Sequence, residues 1–239
     1  MMKSIAASAK ICIRTVSRVI TPPPRTIPTS CVNINALLMH LCDFDQFAYR
    51  YLLKWLAYPL QNPGAKMQHA LVVNGAEGTG KSLFFEEVIA AIYGLRGHRL
   101  TAAKAFSTFN GWALNARYLV VNERVPARYT AEAKALVSNS SLEINQKGLP
   151  AQTVANELNL VFLSSSDDLM PLSASNRRFY VLEVPPPRDP LFYAAVADEI
   201  RNGGLSAFYE YLLQGVSLDG FNQFSEPPSI RVNAQAEFA

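Results

Sequence analysis

Residues 70–94 read ALVVNGAEGTGKSLFFEEVIAAIYG, and three kinds of pattern follow one another along this stretch. The apolar run ALVV, closed by Gly75, has the composition of a short strand buried on both faces. From Ser82 onward Phe85, Ile89 and Ile92 recur on one helical face, and Gly94 is a natural C-terminal stop. Between strand and helix, GAEGTGKS at 75–82 fits GxxxxGK[ST] through Gly75, Gly80, Lys81 and Ser82. Gly75, Gly78 and Gly80 let the backbone curl, so that the N–H groups around Ala76, Glu77 and Thr79 point inward at phosphate oxygens. The following helix adds its positive end. Lys81 is expected to reach the β- and γ-phosphates of ATP, and Ser82 to ligate Mg²⁺. The loop predicts nucleotide binding and does not by itself name a reaction.

Outward from the loop, a phosphoryl-transfer site needs an acid at the end of a neighbouring strand. YLVVNE at 118–123 supplies Glu123 as the candidate general base and second Mg²⁺-facing group. Before it stands Asn122, which can hydrogen-bond a metal-bound water but carries no charge. A third strand, NLVFLSSS, ends in Ser164, Ser165 and Ser166, where a hydroxyl at a strand tip can meet the γ-phosphate or attacking water. SNRRFYVLEV then sets Arg177 and Arg178 before a fourth strand. Arg offers a planar fork for phosphate, and one presented across a subunit boundary stabilises transition-state charge.

The remaining chain reads as α/β. Ala36–Leu60 has helical spacing through Phe44, Phe47, Tyr51, Leu52, Trp55 and Leu56, and Asn62-Pro63-Gly64 makes a turn. TAEAKALVSN reads as a helix capped by Thr130, and SLEINQKGLPAQTVAN as a hairpin with Lys147-Gly148 at its tip. Two helices, DPLFYAAVADEIRNGG and LSAFYEYLLQGV, meet at Gly203-Gly204. Alternating strands and helices predict a mostly parallel central sheet covered on both faces. The expected division is a basic, Pro-rich tail and linker over 1–30, a helical lead-in over 31–64, a core over 65–228 and a tail over 229–239.

The 239 residues suffice for one α/β domain with appendages, and 49% apolar with 17% charged residues exclude a disordered chain. Cys12, Cys31 and Cys42 form no CxxC and fit a reducing compartment; His40, His69 and His98 form no zinc motif. The net charge of +3 is misleading as a clue to nucleic acid. Lys3, Lys10, Arg14, Arg18 and Arg25 all precede residue 31, where there is no acid; beyond them 17 basic side chains face 19 acidic ones. Any DNA contact must therefore be local. The acid-free segment 1–20 has the composition of a disordered tail or of an organellar transit peptide. No stretch reaches the roughly 18 apolar residues of a membrane span.

Taken in order, these pieces resemble the superfamily 3 helicase domain of phage and plasmid primase–helicase proteins, over about residues 40–228. WLAYPLQNPGAKMQHALVVNGAEGTGKSLFFE is similar to that family's lead-in and Walker A loop, and YLVVNE to its Walker B strand, with Asn122 where Asp is usual. KALVSNSSLEINQKG resembles its DNA-contacting hairpin, matching Lys147 to the family's Lys. LVFLSSSDDLMPL resembles the sensor strand, Ser165 taking the place of the usual Asn and Ser166 following. SNRRFYVLEV resembles the Arg-Arg-aromatic motif that holds the arginine finger. The resemblance implies an AAA+-like P-loop ATPase with a small helical N-terminal part and a β-hairpin insertion. It implies a homo-oligomer, usually a hexameric ring around single-stranded DNA, with ATP and Mg²⁺ between subunits and Arg177 or Arg178 reaching the neighbour's site. A primase or polymerase module on a separate chain is an implied partner, a membrane is not, and the implied location is cytoplasmic, in a bacterium or a phage's host. Two other readings stay open at this stage: a truncated remnant that binds nucleotide without unwinding, and an AAA-type remodelling or loader ATPase.

Overall fold

A computed structural model describes residues 31–165 and 178–228. The segments 1–30 and 229–239, with Ser166 and Arg177, lie outside the described residues. In chain order the elements are α1 (Val32–Leu41), α2 (Gln46–Gln61) and β1 (Ala70–Asn74). Next come α3 (Leu83–Ala90 in wide π-type turns, α-helical over Ala91–Tyr93), β2 (Gly97–Leu100), α4 (Ala102–Ala105) and β3 (Tyr118–Asn122). Then follow α5 (Thr130–Ser138), β4 (Ser141–Ile144), β5 (Gln152–Ala155) and β6 (Asn159–Ser164). The described chain closes with β7 (Phe179–Glu183), α6 (Pro190–Glu199) and α7 (Leu205–Glu210).

Five strands form one parallel sheet in the order β2-β3-β6-β1-β7. Every residue of β1 and β6 is buried, as expected for strands covered on both faces. Leu71, Val73, Val120, Val161 and Leu163 pack against α1, α2, α3, α6 and α7 on one side. Ala70, Val72, Leu119, Val121 and Phe162 face α4 and α5 on the other. The mostly parallel, doubly covered α/β sheet expected from the sequence is therefore present. β4 and β5 pair antiparallel as the expected hairpin, a separate two-stranded sheet.

Four local expectations need correction. The helix expected over Ala36–Leu60 is two helices, because Asp43 and Phe44 adopt φ of 50° and 58° and Asp45 starts α2 by accepting from Phe47 N and Ala48 N. Phe44 and Phe47, counted in that helical spacing, are 55% and 67% exposed. Thr130 does not cap α5: it is the first helical residue, Tyr129 holds the cap position, and Thr130 Oγ1 is buried without a partner. The strand β2 was not visible in the sequence, since GHRL is half-exposed and lacks an apolar run.

Polar side chains clamp the N-terminal end of the sheet. Asn159 Oδ1 accepts from Met67 N at 2.8 Å, and its Nδ2 donates to the carbonyls of Ala65, Arg117 and Glu157. Lys66 Nζ donates to Leu136 O at 2.9 Å and Leu158 O at 3.1 Å. These bonds satisfy carbonyls that buried loops would otherwise leave open. Burial pushes the Lys66 amine down to about 8 from its ordinary 10.5. Between those values the unfolded chain holds a proton that the folded chain lacks, so stability rises with pH across that window. Urea unfolding is expected to show a gain of up to about 3 kcal/mol from this group between pH 8 and 10.5. The gain should be absent in Lys66→Met, and equal slopes for both proteins would refute the effect of burial.

Candidate functional site

The site is assembled from three strand ends. β1 leads through Asn74 into the loop 75–82, β3 ends at Asn122 and β6 at Ser164, with β6 lying between the other two. Open parallel sheets form their ligand crevice beyond the carboxyl ends of the strands. Here a cleft of about 660 Å³ opens there, lined by residues 77–83, by Asn122, Glu123 and Arg124, and by Leu163, Ser164, Ser165 and Tyr193.

Tertiary packing shapes the loop as well as its own glycines. Gly80 has φ +89°, where a side chain is strained, and a Cβ there would lie 2.7 Å from Leu37 Cδ1 and 2.9 Å from Tyr193 Cε1. A Cβ on Gly75 would lie 2.9 Å from Val184 Cβ. α1 is held in place by a distant cap: Glu199, at the end of α6, accepts from Asn33 N at 3.1 Å and Ile34 N at 2.7 Å. That bond sets Leu37 of α1 and Tyr193 of α6 together against the loop.

Lys81 is buried and its amine lies across the loop. Nζ donates to Gly75 O at 2.6 Å, Ala76 O at 2.7 Å and Thr79 Oγ1 at 3.1 Å, which uses all three donors. Burial lowers its proton affinity from the ordinary lysine value, and the Glu77 carboxylate opposes this. The structure thus holds a positive charge inside a curl of backbone. A phosphate entering the loop would exchange neutral carbonyl acceptors for charged ones, which bind about twice as strongly.

Ser82 and Asn122 meet, with Asn122 Nδ2 donating to Ser82 Oγ at 3.0 Å. Glu123 borders the same cleft, but its Oε1 accepts from Ala102 N at the start of α4, at 2.5 Å. Ser165 lines the cleft beside Ser164. Arg178 lies elsewhere. It precedes β7 at the opposite end of the sheet from the loop, where Nε donates to Ser138 Oγ at 2.5 Å. It therefore does not reach this chain's own cleft.

Lys147 is exposed at the hairpin tip. The hairpin is tied to the segment after α4: Asn110 N donates to Asn145 O, Asn145 N to Asn110 Oδ1 at 2.7 Å, and Asn110 Nδ2 to Glu143 O at 2.8 Å. Phe109 and Leu149, beside this junction and the tip, are more than half exposed.

Reading the sequence missed Arg124 and Tyr193. Arg124 directly follows Glu123, a position that was legible. Tyr193 lies in a helix more than a hundred residues downstream of the loop, and no local pattern distinguishes it from the neighbouring aromatics. Its hydroxyl accepts from Arg188 N at 2.9 Å, which holds the ring over Gly80.

The model of a family of unknown function (DUF5906) matches residues 73–178, the span from the phosphate loop to the second Arg. The chain is similar to the DNA primase-polymerase of Nitratiruptor phage NrS-1, with 24% identity over 156 residues, 63% of this chain and 22% of that protein. The solved apo C-terminal region of NrS-1 superposes with a TM-score of 0.69 and 24% identity, over 84% of this chain and 47% of that one. A JCV helicase solved with a small molecule bound superposes at a TM-score of 0.50 and 11% identity, over 84% of this chain. At these identities the superpositions show a shared fold. The chain spans about a fifth of the curated relative's length and about half of the solved NrS-1 chain. Among the described residues no helix is long and apolar enough to cross a membrane.

Replacing Gly80 by Ala is expected to cost about 1–3 kcal/mol in urea unfolding, from strain plus overpacking. Gly78→Ala, also at positive φ but with only Pro187 at 3.9 Å, should cost less. Equal losses would show that backbone conformation alone, and not packing by α1 and α6, governs the loop.

Proposed function

We propose that this chain is the motor domain of an ATP-dependent DNA helicase of the superfamily 3 type, coupling ATP hydrolysis to movement along single-stranded DNA. The observation that carries the reading is the convergence of Lys81, Ser82, Asn122 and Glu123, from two strand ends, on one cleft beyond the sheet. The similarity to a phage primase-polymerase and the fold shared with a viral helicase support it.

In this reading the loop 75–82 binds the phosphates of ATP, Lys81 bridges the β- and γ-phosphates, and Ser165 and Ser166 sense the γ-phosphate. Glu123 orients the attacking water once it leaves Ala102 N. Ser82, Asn122 and Glu123 offer only hard oxygen acceptors, which suits Mg²⁺. Among the described residues no cluster of three His, Cys, Asp or Glu could hold a metal alone. A metal held chiefly by phosphate oxygens and water, with one or two protein ligands, fits that set. Bound there, Mg²⁺ would neutralise charge on the transferring phosphate. Arg177 or Arg178 serves a neighbouring subunit, Arg178 lying a full strand length from the chain's own cleft, so the active form is a ring, a hexamer in this reading. Lys147 at the hairpin tip tracks the DNA backbone, and the primase or polymerase activity resides on a separate module.

A second reading, nucleotide binding without hydrolysis, is favoured by two observations: Oε1 of Glu123 accepts from Ala102 N, which ties the candidate base to the start of α4, and Asn122 carries no charge. The two separate cleanly. The helicase reading expects ATP hydrolysis that single-stranded DNA stimulates, lost in Lys81→Ala together with nucleotide binding. ATP binding with no turnover at any DNA concentration would select the second reading. Lys147→Ala is expected to weaken single-strand binding and to reduce the slope of log K against log salt by about 0.7, leaving basal hydrolysis intact. An unchanged slope would place the DNA contact elsewhere.

A further inference from the structure

One flank of the cleft has no role in the proposed function. The sheet order sets the direction of a bound ligand: Asn122 and Glu123 stand at the end of β3, Ser164 and Ser165 at the end of β6, and the loop leaves β1, with β7 on its far side. A triphosphate laid along the loop with its reacting end toward Glu123 therefore carries its nucleoside out on the side of β7 and α6. The chain that follows β7 runs along that side of the loop. Val184 Cβ and Tyr193 Cε1 each lie 2.9 Å from where a Cβ would sit on Gly75 and on Gly80, and Pro187 Cγ lies 3.9 Å from one on Gly78. Of these three, Tyr193 also lines the cleft, and among the described lining residues it carries the one aromatic ring.

We propose that Tyr193 is the base-recognition residue of this site: the base of the nucleotide stacks on its ring, where the cleft opens beyond Gly80. The inference rests on the nucleotide-binding reading of the cleft and adds the part of the ligand that the phosphate loop does not touch. The ring is half-buried and held in advance. Its hydroxyl accepts from Arg188 N at 2.9 Å and lies 3.5 Å from His40 Nε2. Phe192 and His40 meet the ring edge-on, with centroids 5.2 Å and 6.5 Å away. The Arg188 guanidinium is stacked on Phe192, 4.1 Å from its centroid. A ring fixed before the ligand arrives loses little entropy when a flat group stacks on it. Leu83, the first residue of α3, adds an apolar side chain to the lining. Every base has a π-face, so this contact recognises a base as such and not its hydrogen-bonding edge. Tyr193 thus has two tasks: the edge that closes on Gly80 shapes the loop, and the ring receives the base.

The test compares ATP with tripolyphosphate, which offers the loop its phosphates without a base, each with Mg²⁺ in excess and read as equilibrium affinity without reference to turnover. The unaltered protein is expected to bind ATP about tenfold more tightly than tripolyphosphate, the order of gain that one stacked base supplies. Tyr193→Leu keeps an apolar side chain against Gly80 and removes the ring. It is expected to lose the preference, weakening ATP about tenfold and leaving tripolyphosphate within about twofold. Tyr193→Phe keeps the ring, removes the hydroxyl and should keep the preference. A Tyr193 that only packs the loop would weaken both ligands alike in Tyr193→Leu, and that result overturns the proposal. A Tyr193→Phe that matches Tyr193→Leu assigns the effect to the hydroxyl and overturns it too. So does an unaltered protein that binds tripolyphosphate as tightly as ATP, a result that needs no variant to fold and leaves the phosphate-loop reading standing. Binding of neither ligand by the unaltered protein would instead defeat the nucleotide-binding reading itself.

Discussion

The central position of β1 constrains the rest of the structure. Its backbone is buried on both faces, so its N–H and C=O groups must be paired on both edges. β6 and β7 supply that pairing in parallel, from residues about 90 and 110 positions downstream. The bonds that follow β1 extend the same ladder: Gly75 N donates to Ser164 O, and Val184 N to Asn74 O at 2.7 Å. The loop therefore leaves the sheet at a fixed height, between a strand end that carries serines and a segment whose Val184 closes against Gly75. Displacing either neighbour would displace the loop.

A second constraint acts on the loop from outside the sheet. α1 lacks a local side-chain cap and is capped by Glu199 of α6. One carboxylate thus joins two helices that are far apart in sequence, and their side chains Leu37 and Tyr193 close over Gly80. The helical lead-in is part of the site for this reason, although none of its residues carries nucleotide chemistry. At the other side of the cleft, Glu123 holds the start of α4, and the chain after α4 holds the hairpin through Asn110. The candidate catalytic acid and the candidate DNA-contacting hairpin are thus joined by one short stretch of backbone, residues 102–110.

Much of this was legible locally. The run ALVVN, the loop GAEGTGKS and the helix after it form a strand, a turn and a helix whose periodicities need no partner to be read. YLVVNE, NLVFLS and FYVLE could be read as buried strands because a parallel strand covered on both faces is apolar throughout. The same logic hid β2, whose half-exposed GHRL pairs with β3 without an apolar signature. It also joined α1 to α2, because the aromatic spacing runs through a turn that only the positive φ of Asp43 and Phe44 reveals.

The amino-acid order by itself determined the strand–loop–helix of the phosphate loop, the buried strands β1, β3, β6 and β7 and the set of phosphate-loop residues, since each follows from backbone sterics and burial within a few residues. Only the tertiary structure decided which side chains meet. It set the Lys81 amine on the loop's own carbonyls, the Glu123 carboxylate on Ala102, the Asn122 amide on Ser82, Tyr193 over Gly80, and Arg178 a strand length away from the loop. The physical reason is that a hydrogen bond between residues tens of positions apart depends on strand order and helix placement, which are settled by burial of the whole sheet and leave no mark on the local pattern.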